Sequence, residues 1–325
     1  MSPHAPDLTG ATRSFKGSSP HHDEPAAFVS LSDITEIELL ILRRMREVTI
    51  GDHRSMSQGS GFDFVGLRDW QPGDRPSAID WAQSTLTNFW PLVVREFEQP
   101  STAPIVAIAD RSLSMQCGIN GVPIAAAVAR TIAILGMSAS FFQDPFGLVT
   151  FDAGFEHLSA IRPRRGKGHV VHCVDAYQRD EPLQMIKRAG SVGRTLAGYL
   201  RDKSMLAVIS DFLFDDAEPV LGELAFLNTT HDVFLVLIDS AFAFELPAVS
   251  AGWIEMEDVE TGRAGTISRA GLAGLAGRVR TWQDRVEQAA RNLDMDVVRI
   301  GLNQTLTDVA LDMFVAERRL RKSYN

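Results

Sequence analysis

The sequence is poor in cysteine, with only Cys117 and Cys173 among its 325 residues. Two cysteines cannot supply the several cross-links on which small disulfide scaffolds depend. The core must instead be stabilised by apolar burial, and a hydrophobic fraction of 45% is sufficient for that in a chain of this length. We therefore expect a reducing compartment and predict a cytoplasmic protein.

Long apolar runs are also missing. No stretch reaches the roughly 20 apolar residues that span a bilayer, and the segment before Glu24 lacks the apolar region of a secretory signal. We expect no transmembrane segment, and we interpret residues 1–30 as a disordered tail. An excess of positive charge is missing too: the formal net charge is −9 at pH 7, which argues mildly against nucleic-acid binding but leaves room for local basic patches.

Motifs of several enzyme classes are missing. The chain has neither the G-x-G-x-x-G of a dinucleotide-binding enzyme nor the G-x-S-x-G elbow of a serine hydrolase. An aspartyl-nucleophile phosphatase needs a second acid two residues after its nucleophile, and Ser112 occupies that position after Asp110. We expect a protein that is not an enzyme. A magnesium-dependent hydrolase is the least favoured alternative.

The rest of the sequence divides into two parts. Residues 31–100 begin with a helical apolar pattern and continue with turn-rich segments, which predict a helix and a small β-rich module whose tryptophans pack. Residues 101–325 alternate apolar strands with helices, including predicted helices at 182–200 and 305–321. This alternation predicts an α/β fold with a doubly wound, mainly parallel sheet and a C-terminal extension.

Three of the predicted buried strands end in a carboxylate, at Asp110, Asp211 and Asp239. In open α/β sheets, ligands bind beyond the carboxyl ends of strands where the strand order reverses, so Asp110 and Asp211 stand where a site is expected. Ser112 and Ser114 follow Asp110 on one loop, and residues two apart can point the same way. These hard oxygen ligands suit Mg²⁺ or another divalent cation such as Mn²⁺, whereas zinc favours sites with His or Cys.

The types of side chain at this site favour binding over catalysis. If neutral hydroxyls are the main direct ligands and Asp110 holds the waters of the ion, the metal keeps much of its charge. An open coordination position then attracts a carboxylate from a partner protein. D-x-S-x-S is nevertheless a short pattern, and an Asp at a strand end is also typical of helix caps and solvated loops.

A resemblance to a known family covers residues 31–321. The loop from Asp110 to Met115, together with Ser210-Asp211, resembles the metal-ion-dependent adhesion site (MIDAS) of von Willebrand factor A domains. Further motifs resemble the bacterial family called domain of unknown function 58; they are Gly61-Phe62-Asp63-Phe64, Arg68-Asp69-Trp70-Gln71-Pro72-Gly73-Asp74, Ile79-Asp80-Trp81 and Arg95-Glu96-Phe97-Glu98. The signature residues within them are Arg68, Pro72, Gly73, Asp74, Asp80 and Trp81.

The resemblance implies a von Willebrand factor A-like domain with a binding role. Members of this family often accompany a MoxR-type AAA+ ATPase in assembling, activating or metal-loading other proteins, and one branch accompanies methanol dehydrogenase. The chain resembles the shorter soluble members, so we expect an adaptor for such an ATPase and an unknown client, at the inner membrane only through partners. The alternative is a structural interaction subunit whose metal site has decayed.

One ligand of the adhesion site has no clear match. The family's site usually takes a third hydroxyl from a Thr before a core helix. Ser191 and Thr195 are the nearest hydroxyls in the corresponding stretch, and Thr195 is expected to lie inside a helix. The third ligand is therefore Ser191, Thr195 or no residue, and the affinity for the metal depends on which.

Overall fold

A computed structural model describes residues 28–51, 63–72, 74, 76–98, 103–119, 122–152, 155–179, 183–241, 253–258, 263–301 and 311. The helices are α1 Leu31–Gly51, α2 Trp81–Leu86, α3 Ile124–Phe141, α4 Lys167–Gln178, α5 Val192–Tyr199, α6 Ala217–Leu227 and α7 Arg269–Asn292. The strands are β1 Asp63–Asp69, β2 Val93–Glu98, β3 Ile105–Asp110, β4 Gly118–Ile119, β5 Val122–Pro123, β6 Phe146–Phe151, β7 Leu158–Arg164, β8 Gln184–Met185, β9 Met205–Ser210, β10 Asp232–Ile238, β11 Trp253–Asp258, β12 Arg263–Ser268 and β13 Asp296–Ile300.

Seven strands form the central sheet, in the order β13-β10-β9-β3-β6-β7-β8. The first five are parallel, whereas β7 runs antiparallel to β6 and β8 antiparallel to β7. Every residue of β3, β6, β9 and β10 is buried, because helices cover both faces of the sheet. The α/β fold with a mainly parallel sheet is therefore confirmed.

The two faces of the sheet carry separate apolar cores. Side chains alternate along each strand, so Ala107 points into the core beneath α1, α3 and α4, while Val106 and Ile108 point into the core beneath α5, α6 and α7. By length and composition, α3 is the one described helix that could cross a membrane. Most of α3 is buried, and it packs against α1, α4 and β3, as a core helix does.

The strand order reverses between β3 and β9. The chain passes from β3 through α3 to β6 on one side, and from β9 through α6 to β10 on the other. The carboxyl ends of β3 and β9 are neighbours, and they border the crevice in which open α/β sheets bind ligands.

Helix α1 belongs to the core of the α/β domain rather than to the β-rich module. Its apolar stripe of Ile34, Ile37 and Ile41 is buried, and the helix packs on α3. Val29, which the sequence-based division assigns to the tail, is also buried, and its backbone N–H donates to Gln178 Oε1 at 2.6 Å. The remainder of the predicted tail, residues 1–27, lies outside the described residues.

The β-rich module contains the β1–β2 hairpin and α2. The prediction that its tryptophans pack is wrong, because Trp70, Trp81 and Trp90 are 38%, 57% and 87% exposed. Backbone pairing and local caps stabilise this small unit, whose two strands form a sheet of their own.

At the edges of the α/β domain, the secondary structure differs from the sequence-based prediction. The predicted helix at 182–200 is strand β8 followed by the shorter α5, since Gly190 adopts a positive φ of 88° and Ser191 caps the helix. Strand β7 and the β11–β12 hairpin were not predicted; their alternating side chains give a weaker signal than a buried strand. Apart from Leu311, the predicted helix at 305–321 lies outside the described residues.

Candidate functional site

Asp110 and Ser210 lie side by side at the crevice. Ala109 pairs with Ile209 in the sheet register, so the next residue of each strand ends beside the other. The Ser210 hydroxyl donates to Asp110 Oδ2 at 2.6 Å, and the Ser112 backbone N–H donates to Asp110 Oδ1 at 2.9 Å. Asp110 is only 2% exposed, and its carboxylate is thereby fixed at the strand end.

Ser112 and Ser114 present their hydroxyls together. Their Oγ atoms are 2.9 Å apart, because a short 3₁₀ turn from Leu113 to Gln116 brings residues two apart onto one side. The Arg111 backbone N–H donates to Phe151 O at 2.7 Å and fixes the start of this loop. The two hydroxyls thus lie on one side of the loop, within hydrogen-bonding distance of each other.

Asp211 completes the cluster from the end of β9. It is 2% exposed, and its Oδ1 accepts from the Leu213 backbone N–H at 3.2 Å. Its Oδ2 is buried and has no hydrogen-bond partner in the described part of the chain. Burial, and then the negative charge of Asp110, raise the pKa of Asp211 to about 7, while hydrogen bonds from the Leu213 backbone and the Ser240 hydroxyl act in the opposite direction.

Helix α7 supports the loop that carries Asp211. The buried Gln283 amide donates to the backbone oxygens of Asp211 at 3.2 Å and Ile238 at 2.7 Å. The Trp282 indole N–H donates to Phe212 O at 2.7 Å. These bonds tie the ends of β9 and β10 to one helix, so the position of Asp211 depends on the packing of α7.

Tyr177 supports the other carboxylate from α4. Its hydroxyl donates to Asp110 O at 2.8 Å. Burial, followed by the nearby charge of Asp110, raises the pKa of Tyr177 well above its usual value, so the hydroxyl keeps the proton that it donates. Sequence reasoning singled out neither Tyr177 nor Gln283 and Trp282, and it noted Ser210 only as the neighbour of Asp211. The sequence offers only one indication of such supporting residues, namely a single polar residue among apolar ones.

The donor set fits a hard divalent cation. The cluster offers the carboxylates of Asp110 and Asp211 with the hydroxyls of Ser112, Ser114 and Ser210, all oxygen donors. Oxygen donors suit Mg²⁺ and Mn²⁺. Within the described ranges, no group of three or more His, Cys, Asp and Glu side chains could hold a metal, so a cation here would depend on the serines.

Ser191 and Thr195 take part in local capping instead. Ser191 Oγ accepts from the Arg194 backbone N–H at 3.4 Å at the start of α5. The Thr195 hydroxyl donates to Ser191 O at 2.7 Å and accepts from the Ala189 backbone N–H at 3.0 Å. Among the residues that the structure describes, neither is hydrogen-bonded to the Asp110 cluster, and the third hydroxyl in that cluster is Ser210.

The signature residues of the module stabilise its own turns. Arg68 forms a two-pronged ion pair with Asp74, with both nitrogen–oxygen distances at 2.7 Å. Asp74 Oδ2 also accepts from the Gln71 backbone N–H at 2.8 Å. The Arg68 hydrogen bond, and then that of Gln71, lower the pKa of Asp74 to about 2.

The remaining signature residues surround α2. Asp80 caps this helix, accepting from the Gln83 backbone N–H at 3.1 Å, and Trp81 begins it with an exposed ring. Pro72 is exposed in the preceding turn, and Gly73 lies outside the described residues.

A family model described as "Protein of unknown function DUF58" matches residues 66–279. The chain belongs to this family. The match includes the signature residues of the module as well as Asp110, Ser112, Ser114 and Asp211, and it confirms that part of the resemblance. No curated protein matches this DUF58 chain.

Several chains of solved structures match this chain. One of these similarities is to the crystal structure of the pilus adhesin SpaC from Lactobacillus rhamnosus GG in the open conformation, with 8% sequence identity and a TM-score of 0.36. The similar region covers 68% of this chain and 30% of the adhesin chain. A similarity of this size supports no conclusion about the DUF58 chain.

Proposed function

We propose that this protein is a cation-dependent protein-binding adaptor with a von Willebrand factor A-like domain. The observation behind the proposal is the unpartnered Oδ2 of Asp211, a buried carboxylate oxygen beside a second buried carboxylate, Asp110. An unpaired buried charge is costly in free energy, and a bound cation offsets that cost. The crevice between β3 and β9 is also where ligands reach such a sheet.

The roles of the side chains follow from their charge. Ser112 and Ser114 would bind the ion through neutral oxygens, while Asp110 and Asp211 would hold it directly or through its waters. The cation would supply uncompensated positive charge for a carboxylate of a partner protein. Leu113, between the two serines and 59% exposed, would add an apolar contact beside that carboxylate.

The partner that we propose is a MoxR-type AAA+ ATPase. Together with it, the adaptor would assemble or activate a client complex, for example a methanol dehydrogenase-like enzyme. The resemblance to the family motifs supports this choice. The role that we propose is binding rather than catalysis. An aspartyl-nucleophile phosphatase would need a second acid two residues after Asp110, and Ser112 occupies that position.

A second candidate function is a structural interaction subunit with a decayed metal site. The capping roles of Ser191 and Thr195 favour it, since both hydroxyls are occupied locally. The two functions differ in whether a cation binds at all, and this difference can be measured directly.

The first experiment measures binding of Mn²⁺ by titration calorimetry and by electron paramagnetic resonance. We expect saturable binding to the natural chain, with competition by Mg²⁺, and loss of binding in Asp110→Ala and Ser112→Ala. Asp202→Ala, which removes an exposed carboxylate elsewhere, is the matched control and should bind normally. Absence of binding to the natural chain would support the decayed-site function.

The second experiment tests the partner. The purified protein is immobilised and offered a purified MoxR-type ATPase, in Mg²⁺ or in EDTA. We expect capture only in Mg²⁺ and only with an intact Asp110. Capture that persists in EDTA and with Asp110→Ala would refute a metal-dependent adaptor. If Mn²⁺ binds but no ATPase is captured, the choice of partner is wrong and the metal site stands.

A further inference from the structure

A groove runs along the edge of the central sheet, and β6 separates it from the Asp110 cluster. Three adjoining cavities form it between β7, the segment around β8, and α5. The central cavity, of about 360 Å³, shares Arg162 and Tyr199 with the cavity on one side and Met185 and Lys187 with the cavity on the other. We call this continuous surface the edge groove.

Basic residues outnumber acidic ones along the edge groove, although the net charge of the whole chain is −9. Four basic residues line the three cavities, against two acidic ones; they are Arg162, Lys187, Arg188 and Arg201, against Glu156 and Asp202. The central section of the groove contains Arg162 and Lys187 and no acidic residue. Neither of these cationic side chains has an ion-pair partner among the described residues. The groove therefore has a local charge opposite to that of the whole chain, and an anionic group is the ligand that complements it.

Tyr199 adds an unused hydrogen-bond donor in the same section. Its Oη atom is buried and has no hydrogen-bond partner within the described residues, although the ring forms part of the groove wall. Burial raises the pKa of Tyr199 against the opposing charge of Arg162, so the hydroxyl keeps its proton. A buried donor without an acceptor is destabilising, and an acceptor supplied by a ligand removes that penalty.

Apolar side chains distinguish the type of anion. Met185 is 67% exposed beside the groove, and Ile186 and Ala160 lie next to it. The phosphate backbone of a nucleic acid forms few favourable contacts with apolar side chains. A peptide with an acidic residue beside an apolar one can contact both the cations and the apolar side chains of the groove. A single carboxylate carries one negative charge, so the two cationic side chains of the central section are sufficient to balance it.

From these contacts we infer that the edge groove binds an acidic segment of a partner protein. A carboxylate of that segment pairs with Arg162 and, once the Tyr199 side chain has rotated to expose its hydroxyl to the groove, accepts from Tyr199 Oη. An adjacent apolar side chain packs against Met185. The groove and the Asp110 cluster are separate sites, so binding here requires no cation. The partner would thus be held at two points of the same domain.

The test uses a displayed random-peptide library as the probe, selected on the full chain in EDTA. We expect enrichment of peptides in which Asp or Glu stands beside an apolar residue. Selected peptides are then labelled, and their affinities are measured by fluorescence anisotropy. Gly198→Trp should weaken binding about ten-fold or more, because Gly198 lines the groove and an indole ring there would occupy it; an added Cβ at Gly198 meets no atom within 4 Å.

Tyr199→Phe removes only the donor and should weaken binding by about ten-fold. The matched control is Gly274→Trp on α7, where an added Cβ also meets no atom within 4 Å, and it should bind normally. Asp110→Ala should bind normally too, which separates this inference from the proposed metal site. Thermal unfolding followed by circular dichroism verifies that each variant is folded.

Several results would overturn the inference. They are the absence of acidic bias in the selected peptides, equal affinity in the natural chain and Tyr199→Phe, and tighter binding of a single-stranded RNA oligonucleotide than of the peptides. Equal affinity in a folded Gly198→Trp would overturn it as well. If Gly198→Trp does not fold, Tyr199→Phe alone decides.

Discussion

Two regions of the molecule shift the pKa of an aspartate in opposite directions. In the β-rich module, Asp74 receives a guanidinium and a backbone N–H, and its pKa falls to about 2. At the crevice of the central sheet, Asp211 is buried beside Asp110, and its pKa rises to about 7. One carboxylate is stabilised by partners close in sequence, while the other lacks a partner for one oxygen among the described residues.

This difference distinguishes an aspartate that stabilises its own turn from those that we propose bind a cation. A carboxylate whose hydrogen bonds and charge are met within its own turn has little capacity left for a ligand. A buried carboxylate held by a rigid strand end, with an oxygen left over, favours whatever brings positive charge. The signature residues of the module therefore act within the module's own turns, whereas the strand-end cluster is the binding site that we propose.

The largest expected effect comes from the strand-end cluster. At a Mg²⁺ concentration about a hundred-fold above its Kd, the natural chain should gain about 2.7 kcal/mol in free energy of unfolding. Asp110→Ala should gain none, while Asp74→Ala should gain as much as the natural chain. Thermal unfolding with Mg²⁺ and with EDTA measures the gain. A gain that persists in Asp110→Ala would remove the contrast between the two regions.

Gln283→Leu should have the next largest effect. It removes the buried amide that donates to Asp211 O and Ile238 O, so the free energy of unfolding should fall by about 1–3 kcal/mol. Urea denaturation measures the loss. Gln288→Leu, which changes an exposed glutamine on the same helix, should leave stability nearly unchanged. Equal effects of the two substitutions would show that α7 does not hold the strand-end loop.

Asp80→Ala should have a smaller effect, confined to the module. Loss of the cap on α2 should lower stability by about 1 kcal/mol and leave Mn²⁺ binding intact. Asp80→Asn keeps a capping oxygen and should lie close to the natural chain. Denaturation followed by tryptophan fluorescence is suited to this test, since Trp81 begins the helix. Loss of Mn²⁺ binding in Asp80→Ala would link the module to the metal site.

Asp74→Asn should have the smallest effect, and that effect should depend on pH. The folded-state pKa of Asp74 is lowered to about 2 from an ordinary 3.8, so the contribution of the carboxylate is complete above about pH 4 and is lost as pH falls through 2. The natural chain should thus exceed the variant in stability at neutral pH, and the difference should vanish below about pH 2. Salt should reduce the difference, because the pair is partly exposed. A difference that grows on acidification would contradict this.

Much of the fold could be predicted from the sequence. Apolar runs reveal buried parallel strands, because both faces of such strands are covered, and the helices between them indicate an α/β sheet. The serines of the Asp110 loop could be assigned to one site because a short turn brings together residues two apart. The edges were harder: β7 and β8 are partly exposed, and their patterns compete with those of loops.

The sequence alone therefore determined the α/β fold, the carboxylates at the strand ends and the local serine loop, since each depends on neighbouring residues. Only the tertiary structure decided that Ser210 bonds Asp110 across 100 residues of chain, that Tyr177 reaches the same residue across 67, and that Gln283 reaches Asp211 across 72. Such contacts depend on strand order and on helix packing over the sheet. Strand order and helix packing result from the burial of all the apolar surfaces of the chain together. A residue pattern within one segment carries no information about that burial.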